Sequence, residues 1–328
     1  MIWIGLGLSA LAIVTLACAF DWRAIGAAML QLRWWAPLAS LAFFLGNLVV
    51  RGLRWRLLLS PLTRLPQAQV RDALIVGFMV NNLLPARAGE LARALIVGRL
   101  GGFTGRAGLA SVAVERLLDG FSLLASLVVL ALLFPAPPWT LRFAATAAVV
   151  LAALAAALVW LALHDRSFFA ALGRLLFFVP AAPRERAIAW LRRFVDGTRA
   201  VRSPRVLLGG ALLSLVIWLL EAGSYTSMLR GLPIAAPAWA GTFALIVANL
   251  GIAIPSGPSN VGVFEAACAG ALLALGVRGE LALAYALCLH LLHFSTVVLL
   301  GLPLMWRLGL RLSGLYHPIQ TTEPQPPL

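Results

Sequence analysis

Two stretches decide the fold, Val80-Asn-Asn-Leu-Leu-Pro-Ala-Arg-Ala-Gly-Glu-Leu91 and Ile254-Pro-Ser-Gly-Pro-Ser-Asn-Val-Gly-Val-Phe-Glu265. Each one interrupts an apolar run with proline, glycine and polar residues, and Pro85 and Pro255 align at a separation of 170 residues. In lipid an unpaired backbone amide or carbonyl costs several kcal/mol, so irregular backbone persists at membrane depth only against protein or water. Paired breaks in two halves of a chain predict a transport site.

The composition is that of a polytopic membrane protein. Hydrophobic residues make up 62% of the chain and charged residues 12%, and the mean hydropathy is +0.94. These values lie far outside the range of soluble globular domains. The longest stretch between apolar runs, about residues 164–206, is too short and too apolar to form a catalytic domain of its own. We therefore expect any activity to reside in the membrane region.

The net charge of +14 comes from arginine alone, because all 26 basic residues are arginines. Basic loops follow from the positive-inside rule and from attraction to anionic head groups, so we interpret this charge as membrane topology and expect no nucleic-acid partner. Cys18, Cys268 and Cys288 lie in apolar runs without CxxC spacing or a histidine cluster. This pattern predicts packing roles, with no disulfide framework, metal site or cofactor.

Six apolar runs are long enough to cross about 30 Å of hydrocarbon: Ile2 to Phe20, Trp35 to Val50, Ala107 to Phe134, Leu141 to Leu163, Val206 to Met228 and Leu281 to Trp306. The second run is short unless it continues through Arg51 to Arg56. Apolar residues at helical spacing beside charged ones, from Trp22 to Leu32 and again from Ile188 to Arg199, predict two helices on the membrane surface.

The broken segments differ from these runs in the length of their arms. In the first segment, residues 72–84 and 89–100 give arms of about 20 Å at 1.5 Å per residue, too short to span. A re-entrant hairpin with its tip near Pro85 fits both lengths. The arms of the second segment, residues 239–254 and 260–276, are longer and leave two true spans as an alternative. Either form returns the chain to the face from which it started.

The arginines orient this arrangement. If the faces that carry most of them are cytoplasmic, the first hairpin enters from the cytoplasm, the second enters from the opposite face, and both termini lie inside. The sequence therefore predicts an all-α polytopic membrane protein, an inverted repeat of span, re-entrant hairpin, span, plus extra helices, with halves at about 35–134 and 206–306. A single membrane domain covers residues 1–312, including a cytoplasmic interfacial segment at about 164–205. Residues 313–328 form a flexible Pro-rich tail.

A set of charged residues falls at membrane depth, namely Arg87, Glu90, Glu115, Arg116, Asp119, Glu221 and Glu265. Each charge at a helix centre costs roughly 2.5 to 3.5 kcal/mol on insertion scales, so the set must be paired or wet. Glu115 and Asp119 are four residues apart and share one helix face. We interpret the set as the lining of a polar cavity, with structural ion pairs as the alternative for any single residue.

The hairpin tips provide a second reason to expect a binding site. The second arms begin near Gly89 and Asn260, so two helix N-termini with unpaired amides would face the bilayer centre, where they attract anions. Arg87 reinforces the first of them. The polar residues beside the tips either bind a head group or satisfy backbone freed by the prolines: Asn81, Asn82, Ser256, Ser259 and Asn260. His290 and His293 have no carboxylate motif beside them in sequence, which disfavours a proton relay.

Four motifs in order resemble one known family: Arg51-Gly-Leu-Arg-Trp-Arg56, Asn82-Leu-Leu-Pro-Ala-Arg-Ala-Gly-Glu-Leu91, Glu115-Arg-Leu-Leu-Asp119 and Pro255-Ser-Gly-Pro-Ser-Asn-Val-Gly-Val-Phe-Glu265. Together they are similar to the lysylphosphatidylglycerol synthase transmembrane region, also called the flippase-like domain, over nearly the whole chain. The resemblance implies a bacterial or archaeal multi-pass protein of the plasma (inner) membrane that moves or modifies lipids. In bifunctional members a separate soluble domain transfers the amino acid. Because this chain ends at Leu328 without such a domain, we do not expect the synthase activity.

The predicted function is that of a lipid translocase, or flippase, which moves a phospholipid or polyprenyl-linked lipid through a polar cavity between the two hairpins. We expect a transporter with no catalytic residues. The predicted substrate-binding residues are Arg87, Glu90, Asn82, Arg116, Ser256, Ser259 and Asn260, and the residues predicted for charge relay or ion pairing are Glu115, Asp119, Glu221 and Glu265. The expected partners are membrane lipids with anionic head groups and a lipid-modifying or glycosyltransferase partner.

The alternative is a membrane accessory subunit or enzyme of lipid or lipid-linked glycan biosynthesis, including hopanoid-type pathways, to which the resemblance also extends. The carboxylate pair Glu115 and Asp119 would suit acid-base chemistry. However, no nucleophile or metal motif accompanies that pair in the sequence.

Overall fold

The structure, a computed structural model, describes residues 2–84, 87–134, 139–163, 203–252 and 257–309. All regular structure in these ranges is helical, which confirms the predicted all-α class. The helices are α1 (Ile2–Ala19), α2 (Trp22–Leu30), α3 (Trp35–Leu59), α4 (Gln67–Leu83), α5 (Ala88–Gly101), α6 (Gly105–Leu133), α7 (Trp139–Leu163), α8 (Pro204–Gly231), α9 (Ala240–Gly251), α10 (Val263–Leu273) and α11 (Gly279–Arg307), with a short 3₁₀ turn at Pro258–Asn260. The predictions for Pro85, Pro255, Ser256, the 164–202 segment and the 313–328 tail lie outside the described residues.

Within the residues that the structure describes, four helices are long and apolar enough to cross a membrane, namely α3, α6, α8 and α11, and α1 with α2 would make a fifth if that bent pair is one span. The two remaining predicted spans form the apolar helices α1 and α7. Helix α3 continues to Leu59, well past Val50. This extension supplies the length that the second apolar run lacked and carries three arginines into the helix.

Local sequence explains where several helices begin and end. The side chains of Thr104 and Ser203 accept hydrogen bonds from the amides of Ala107 and Val206 and so cap α6 and α8. Helix α5 ends at Gly102, whose φ of 68° is the left-handed conformation that glycine adopts without strain. These caps fix the loops between consecutive helices.

Helix α2 forms as predicted, but it does not simply lie on the membrane surface. It bends by 87° from α1, and its apolar residues Ile25 and Ala28 are buried in the protein core. Helix α2 packs against α11. The apolar face that indicated a lipid contact is therefore satisfied by protein.

The two broken segments form helical hairpins. Helices α4 and α5 have 17 and 14 residues, and α9 and α10 have 12 and 11 residues. At 1.5 Å per residue, α9 and α10 extend only about 16 to 18 Å, well short of the hydrocarbon core. These lengths favour a re-entrant hairpin over two spans for the second segment. The first arm of the first hairpin begins at Gln67, five residues before the predicted Asp72.

Helices α3 and α8 are antiparallel neighbours at the centre of the bundle. The hydroxyls of Ser40 and Ser224 are 2.8 Å apart. About two turns further along α3, the side-chain amide of Asn47 donates to the Ile217 carbonyl at 2.8 Å. Residue numbers rise along α3 as they fall along α8. The first helices of the two predicted halves therefore run in opposite directions, as an inverted repeat requires.

The hairpins open at opposite ends of this bundle. The first opens where α3 ends, since the Thr63 hydroxyl lies 3.5 Å from the Gly101 carbonyl at the end of α5. The second opens beside Trp239, whose ring stacks on Phe134 at the far end of α6, 5.4 Å between centroids. Helix α4 contacts the turn at Pro258–Asn260, so the two tips meet inside the bundle. The inverted repeat itself stays a prediction.

The outer surface of the bundle is apolar. Leu132, Leu219 and Leu299 on three different helices are about 70% exposed, at 71%, 72% and 70%. Large exposed aliphatic groups of this kind suit contact with lipid chains. The polar groups are concentrated inside.

Candidate functional site

The interior of the first half, together with one residue of α8, holds a network of four arginines and four carboxylates. It consists of Arg51 and Arg54 on α3, Glu90 and Arg93 on α5, Glu115, Arg116 and Asp119 on α6, and Glu221 on α8. Four positive and four negative charges balance. We refer to these eight residues as the ion network.

Arg54 lies at the centre of the ion network and is fully buried. Its two terminal nitrogens donate to both carboxylate oxygens of Asp119, at 2.5 and 3.2 Å, and one of them also donates to the Ser214 hydroxyl at 2.8 Å. The Glu115 carboxylate lies 3.3 Å away. The guanidinium thus joins α3, α6 and α8 through bidentate geometry that lysine cannot reproduce.

Arg93 joins the first hairpin to the same carboxylates. Its two terminal nitrogens each lie 3.2 Å from an oxygen of Glu115, and its guanidinium sits 4.8 Å from the centre of the Trp55 ring. Both Arg93 and Glu115 are buried. Helix α5 is therefore held against α3 and α6 by charge as well as by packing.

Two members of the ion network are more exposed than the rest. The Arg116 side chain is 38% exposed and the Glu90 side chain 22% exposed, and the Arg116 Nε lies 3.4 Å from the Glu90 carboxylate. Arg51 contacts Asp119 at 3.8 Å and Glu221 at 3.7 Å, with its side chain 11% exposed. Arg116 and Glu90 are thus the members that a ligand can reach.

Burial of this kind requires that the charges stay paired. Removing one partner from a buried ion pair typically costs about 3 to 5 kcal/mol, because the other charge is left without compensation. Glu115 and Asp119 both bind Arg54, as their shared helix face indicated. For these two residues the structure shows the ion pairs that were the alternative to a cavity lining.

The first hairpin tip reaches the second through Arg87. This residue is exposed and has a φ of 54°, a left-handed conformation that is strained for a residue with a Cβ atom. Its Nη2 donates to the Ile252 carbonyl at the end of α9, 2.9 Å away. A cation at a helix C-terminus is favourable because the last carbonyls carry partial negative charge. Arg87 therefore bridges the two tips rather than acting only on the N-terminus of α5.

The N-terminal amides of α5 and α10 are partly occupied by the protein itself. The Gly89 amide donates to the Asn81 side chain at 2.7 Å, and the Gly262 amide donates to the Glu265 carboxylate at 2.7 Å. The two helix N-termini thus offer fewer unpaired amides to an anion than the sequence suggested. Asn81 satisfies backbone, whereas Asn82 lies half-buried in the last turn of α4.

The second tip contains a continuous chain of side chains. The His290 Nδ1 lies 2.5 Å from Glu265 Oε1, and its Nε2 lies 2.9 Å from the Ser259 hydroxyl. Ser259 and Asn260 have φ values of 54° and 56°. Strained non-glycine residues thus occur at both tips, as they do at many functional sites. We call Ser259, Glu265 and His290 the second-tip chain.

Helix α1 covers this second tip. The Ser9 hydroxyl accepts a hydrogen bond from the Gly257 amide at 2.8 Å, and a Cβ atom on Gly262 would press against the Ser9 carbonyl and the Ile13 side chain. The first helix, which lies outside both predicted halves, therefore helps to satisfy the irregular backbone of the second half.

Several residues of the site are missing from the sequence-based assignment. Arg51, Arg54 and Arg93 lie on either side of the first hairpin in sequence, among the arginines that the orientation prediction takes as cytoplasmic. In the structure they lie inside helices and pair with carboxylates, so they carry no information on orientation. For Arg51 and Arg54 the sequence did contain a signal, because the second apolar run is too short to span unless its helix continues through these arginines. His290 was disfavoured as a proton relay because no carboxylate is near it in sequence, yet Glu265 is bonded to it in space.

The sequence is similar to known membrane proteins. The family model described as the lysylphosphatidylglycerol synthase TM region matches residues 2–301. A UPF0104 membrane protein of Methanothermobacter thermautotrophicus is 25% identical over 280 residues, which are 82% of each chain. No solved structure matches.

Proposed function

This chain belongs to the family of the lysylphosphatidylglycerol synthase TM region, and on that premise we propose that it is a lipid translocase, a transporter and not an enzyme. The lipid head group passes between the two hairpin tips while its hydrocarbon chains stay in the bilayer. Membership of this family fits a lipid-related membrane function. The movement of lipid, its direction and its substrate are part of the proposal.

One observation carries the proposal, the meeting of the two tips at Arg87. An exposed guanidinium with five N–H donors uses one nitrogen on the Ile252 carbonyl and keeps others for a ligand. Arginine binds phosphate through two parallel hydrogen bonds. The Ser259 hydroxyl and the Asn260 side chain belong to the opposing tip, so both hairpins contribute polar groups to one region. An anionic lipid head group suits this set.

The ion network extends this region on the side of the first tip. Glu90 lies three residues after Arg87 in the first turn of α5, and its partner Arg116 is exposed. These two residues would contact the zwitterionic or cationic part of a head group. The buried members of the ion network, such as Arg54 and Glu115, would hold together the helices that shape the passage.

We also propose that the protein acts in the plasma membrane with both termini in the cytoplasm, where it takes up membrane lipids or receives them from a lipid-modifying or glycosyltransferase partner. An accessory role with such a partner is the competing function. It would leave the purified protein unable to move lipid by itself.

Reconstituted vesicles test the proposal. The purified protein is placed in phosphatidylcholine vesicles that contain a trace of fluorescent phosphatidylglycerol, phosphatidylethanolamine, lysylphosphatidylglycerol or polyprenyl phosphate, and dithionite quenching reports the movement of label between leaflets. We expect protein-dependent movement of at least one anionic lipid. Failure across this panel would overturn the translocase proposal in favour of the accessory role.

The variant Arg87→Ala connects this activity to the tips. Loss of a hydrogen bond to a charged group corresponds to about 1.5 to 3 kcal/mol, so we expect the rate to fall by roughly 10- to 100-fold. Arg278→Ala is the control, since that arginine is 78% exposed and its ion pair with Glu280 is 3.9 Å long. Equal rates for the two variants would contradict a role of Arg87 in binding.

A further inference from the structure

We propose that Glu265 and His290 form a proton-carrying site through which a proton gradient drives lipid movement. The inference rests on the function proposed above and adds its energy source. It starts from the second-tip chain, in which His290 bonds to both Glu265 and Ser259.

Glu265 differs from the other buried carboxylates in the residue to which it is paired. Every other buried or half-buried carboxylate in the described ranges lies within 4.0 Å of an arginine: Asp72, Glu90, Glu115, Asp119, Glu221 and Glu280. Arginine stays protonated in proteins, so protonating such a carboxylate would strand a positive charge. The partner of Glu265 is a histidine, which can gain or lose a proton itself. This pair can therefore change its charge by one without leaving a fixed charge unpaired.

Counting protons gives two states of the second-tip chain. With one proton on the imidazole, Nδ1–H donates to Glu265, Nε2 accepts from the Ser259 hydroxyl, and the pair carries one negative charge. With a second proton, both ring nitrogens are donors, so Nε2–H donates to the Ser259 oxygen and the pair is neutral. Proton uptake thus reverses the role of Ser259. Its hydroxyl hydrogen becomes free to donate to another acceptor, such as a phosphate oxygen.

The same groups hold the backbone of the tip. The second oxygen of Glu265 accepts from the Gly262 amide at the start of α10, and Ser259 sits in the strained turn just before it. The carboxylate stays charged in both states and stabilises the helix N-terminus, but its hydrogen bond to His290 becomes charge-assisted on both sides, and so stronger, when the imidazole takes up the second proton. A proton that arrives at this pair therefore acts on both the binding hydroxyl and the tip geometry.

Few other ionisable groups lie on the elements around the pair. Helix α9 has none, α1 has Cys18 and α10 has Cys268, while α11 carries Tyr285, Cys288 and His293 besides residues at its ends. His293 bonds to the Ser224 hydroxyl at 2.9 Å and stacks on Phe44. Neighbouring helices add Tyr225 and Glu221 on α8, Arg51 on α3, and Arg71 and Asp72 at the far end of α4, while Arg87 lies at the facing tip. Glu265 and His290 are the acid and base in direct contact.

A leaflet-distribution experiment tests the inference. The full chain is reconstituted in phosphatidylcholine vesicles with the fluorescent lipids named above, the voltage is clamped with potassium and valinomycin, and a pH difference of one unit is imposed. If one proton accompanies each lipid, the steady-state ratio of label between leaflets shifts by up to about tenfold, and a protonophore abolishes the shift. Glu265→Gln is expected to abolish the shift too. Glu280→Gln, the same change at a half-buried glutamate outside the second-tip chain, is expected to retain it.

A second measurement does not depend on transport. The protection of residues 257–262 against hydrogen exchange, corrected for the intrinsic exchange rate at each pH, should change with pH in the wild type. This corrected protection should become independent of pH in Glu265→Gln, whose amide oxygen can still accept from Gly262. If lipid moves but the leaflet ratio does not respond to the gradient, the proton site is overturned and the translocase stands. If no lipid moves but the corrected protection depends on pH through Glu265, the proton site stands and the translocase falls. A corrected protection that is independent of pH in the wild type overturns the inference.

Discussion

At the scale of single residues, the protein depends on charges that are buried in pairs. Arg54 contacts Asp119, Glu115 and Ser214 with no exposure to solvent or lipid. Its guanidinium connects three of the four long helices. From the sequence alone, Arg54 is one of the arginines assigned to the cytoplasmic face.

We expect Arg54→Met to destabilise the protein by about 3 to 5 kcal/mol, since Asp119 and Glu115 would lose their shared partner. Thermal unfolding in detergent, followed by tryptophan fluorescence, measures this change. Adding Asp119→Leu to Arg54→Met should recover part of the loss, because it removes an unpaired charge. Arg278→Met serves as the surface control. A melting temperature of Arg54→Met equal to that of the control would show that the ion network is not structural.

At the scale of elements, the two arms of the first hairpin pack closely because a glycine, Gly89, lies between them. A Cβ atom on Gly89 would overlap the Gly77 carbonyl oxygen and press on Asn81, so α4 and α5 approach more closely than any larger residue allows. Close approach brings the Asn81 side chain to the Gly89 amide. The hairpin can then satisfy its own backbone at membrane depth.

We expect Gly89→Ala to destabilise the protein by about 1 to 3 kcal/mol through overpacking. Gly270→Ala in α10 is the matched change, because a Cβ atom there meets nothing within 4 Å. Alanine has the higher helix propensity, so that variant should be neutral or stabilised by up to about 1 kcal/mol. Melting temperatures of the two variants provide the test. A shift of the same sign and size in both would refute the close approach of α4 and α5.

At the scale of the whole molecule, the packing of the two halves corresponds helix by helix. In each half, the first long helix packs on the first hairpin arm, the two arms pack together, and the second arm packs on the closing helix. Helices α3 and α8 join the halves in antiparallel orientation. These contacts are what an inverted repeat produces.

Membrane topology tests this correspondence directly. Gly102 and Gly276 follow the second arms of the two hairpins, with φ values of 68° and 80° and nothing close to either. Epitope tags inserted at these two sites should be accessible from opposite faces of the membrane. A tag between Ser60 and Pro61 should share the face of Gly102. Tags at Gly102 and Gly276 that are accessible from one face would exclude the inverted repeat.

Orientation depends on the arginines that remain once the ion network is set aside. In the described ranges, seven lie toward the end of the bundle where α3 ends and five toward the other: Arg56, Arg64, Arg71, Arg99, Arg106, Arg205 and Arg307 against Arg23, Arg33, Arg142, Arg230 and Arg278. The two ends of the bundle thus differ by two arginines. Eight more arginines lie between Leu163 and Pro204 in the sequence. The prediction that the termini are cytoplasmic therefore rests mainly on that segment.

The sequence by itself determined the all-α membrane class, the two breaks and the family, because hydrophobic length and the Pro-Gly motifs are local properties of the chain. It also showed that Glu115 and Asp119 share a face, since helical spacing is local too. Only the tertiary structure decided which charges meet. Arg54 and Asp119 are 65 residues apart, and Glu265 and His290 are 25 apart. Such pairs form where helices distant in sequence pack together, because a buried charge can be stabilised by a partner from any part of the chain that packing brings within reach.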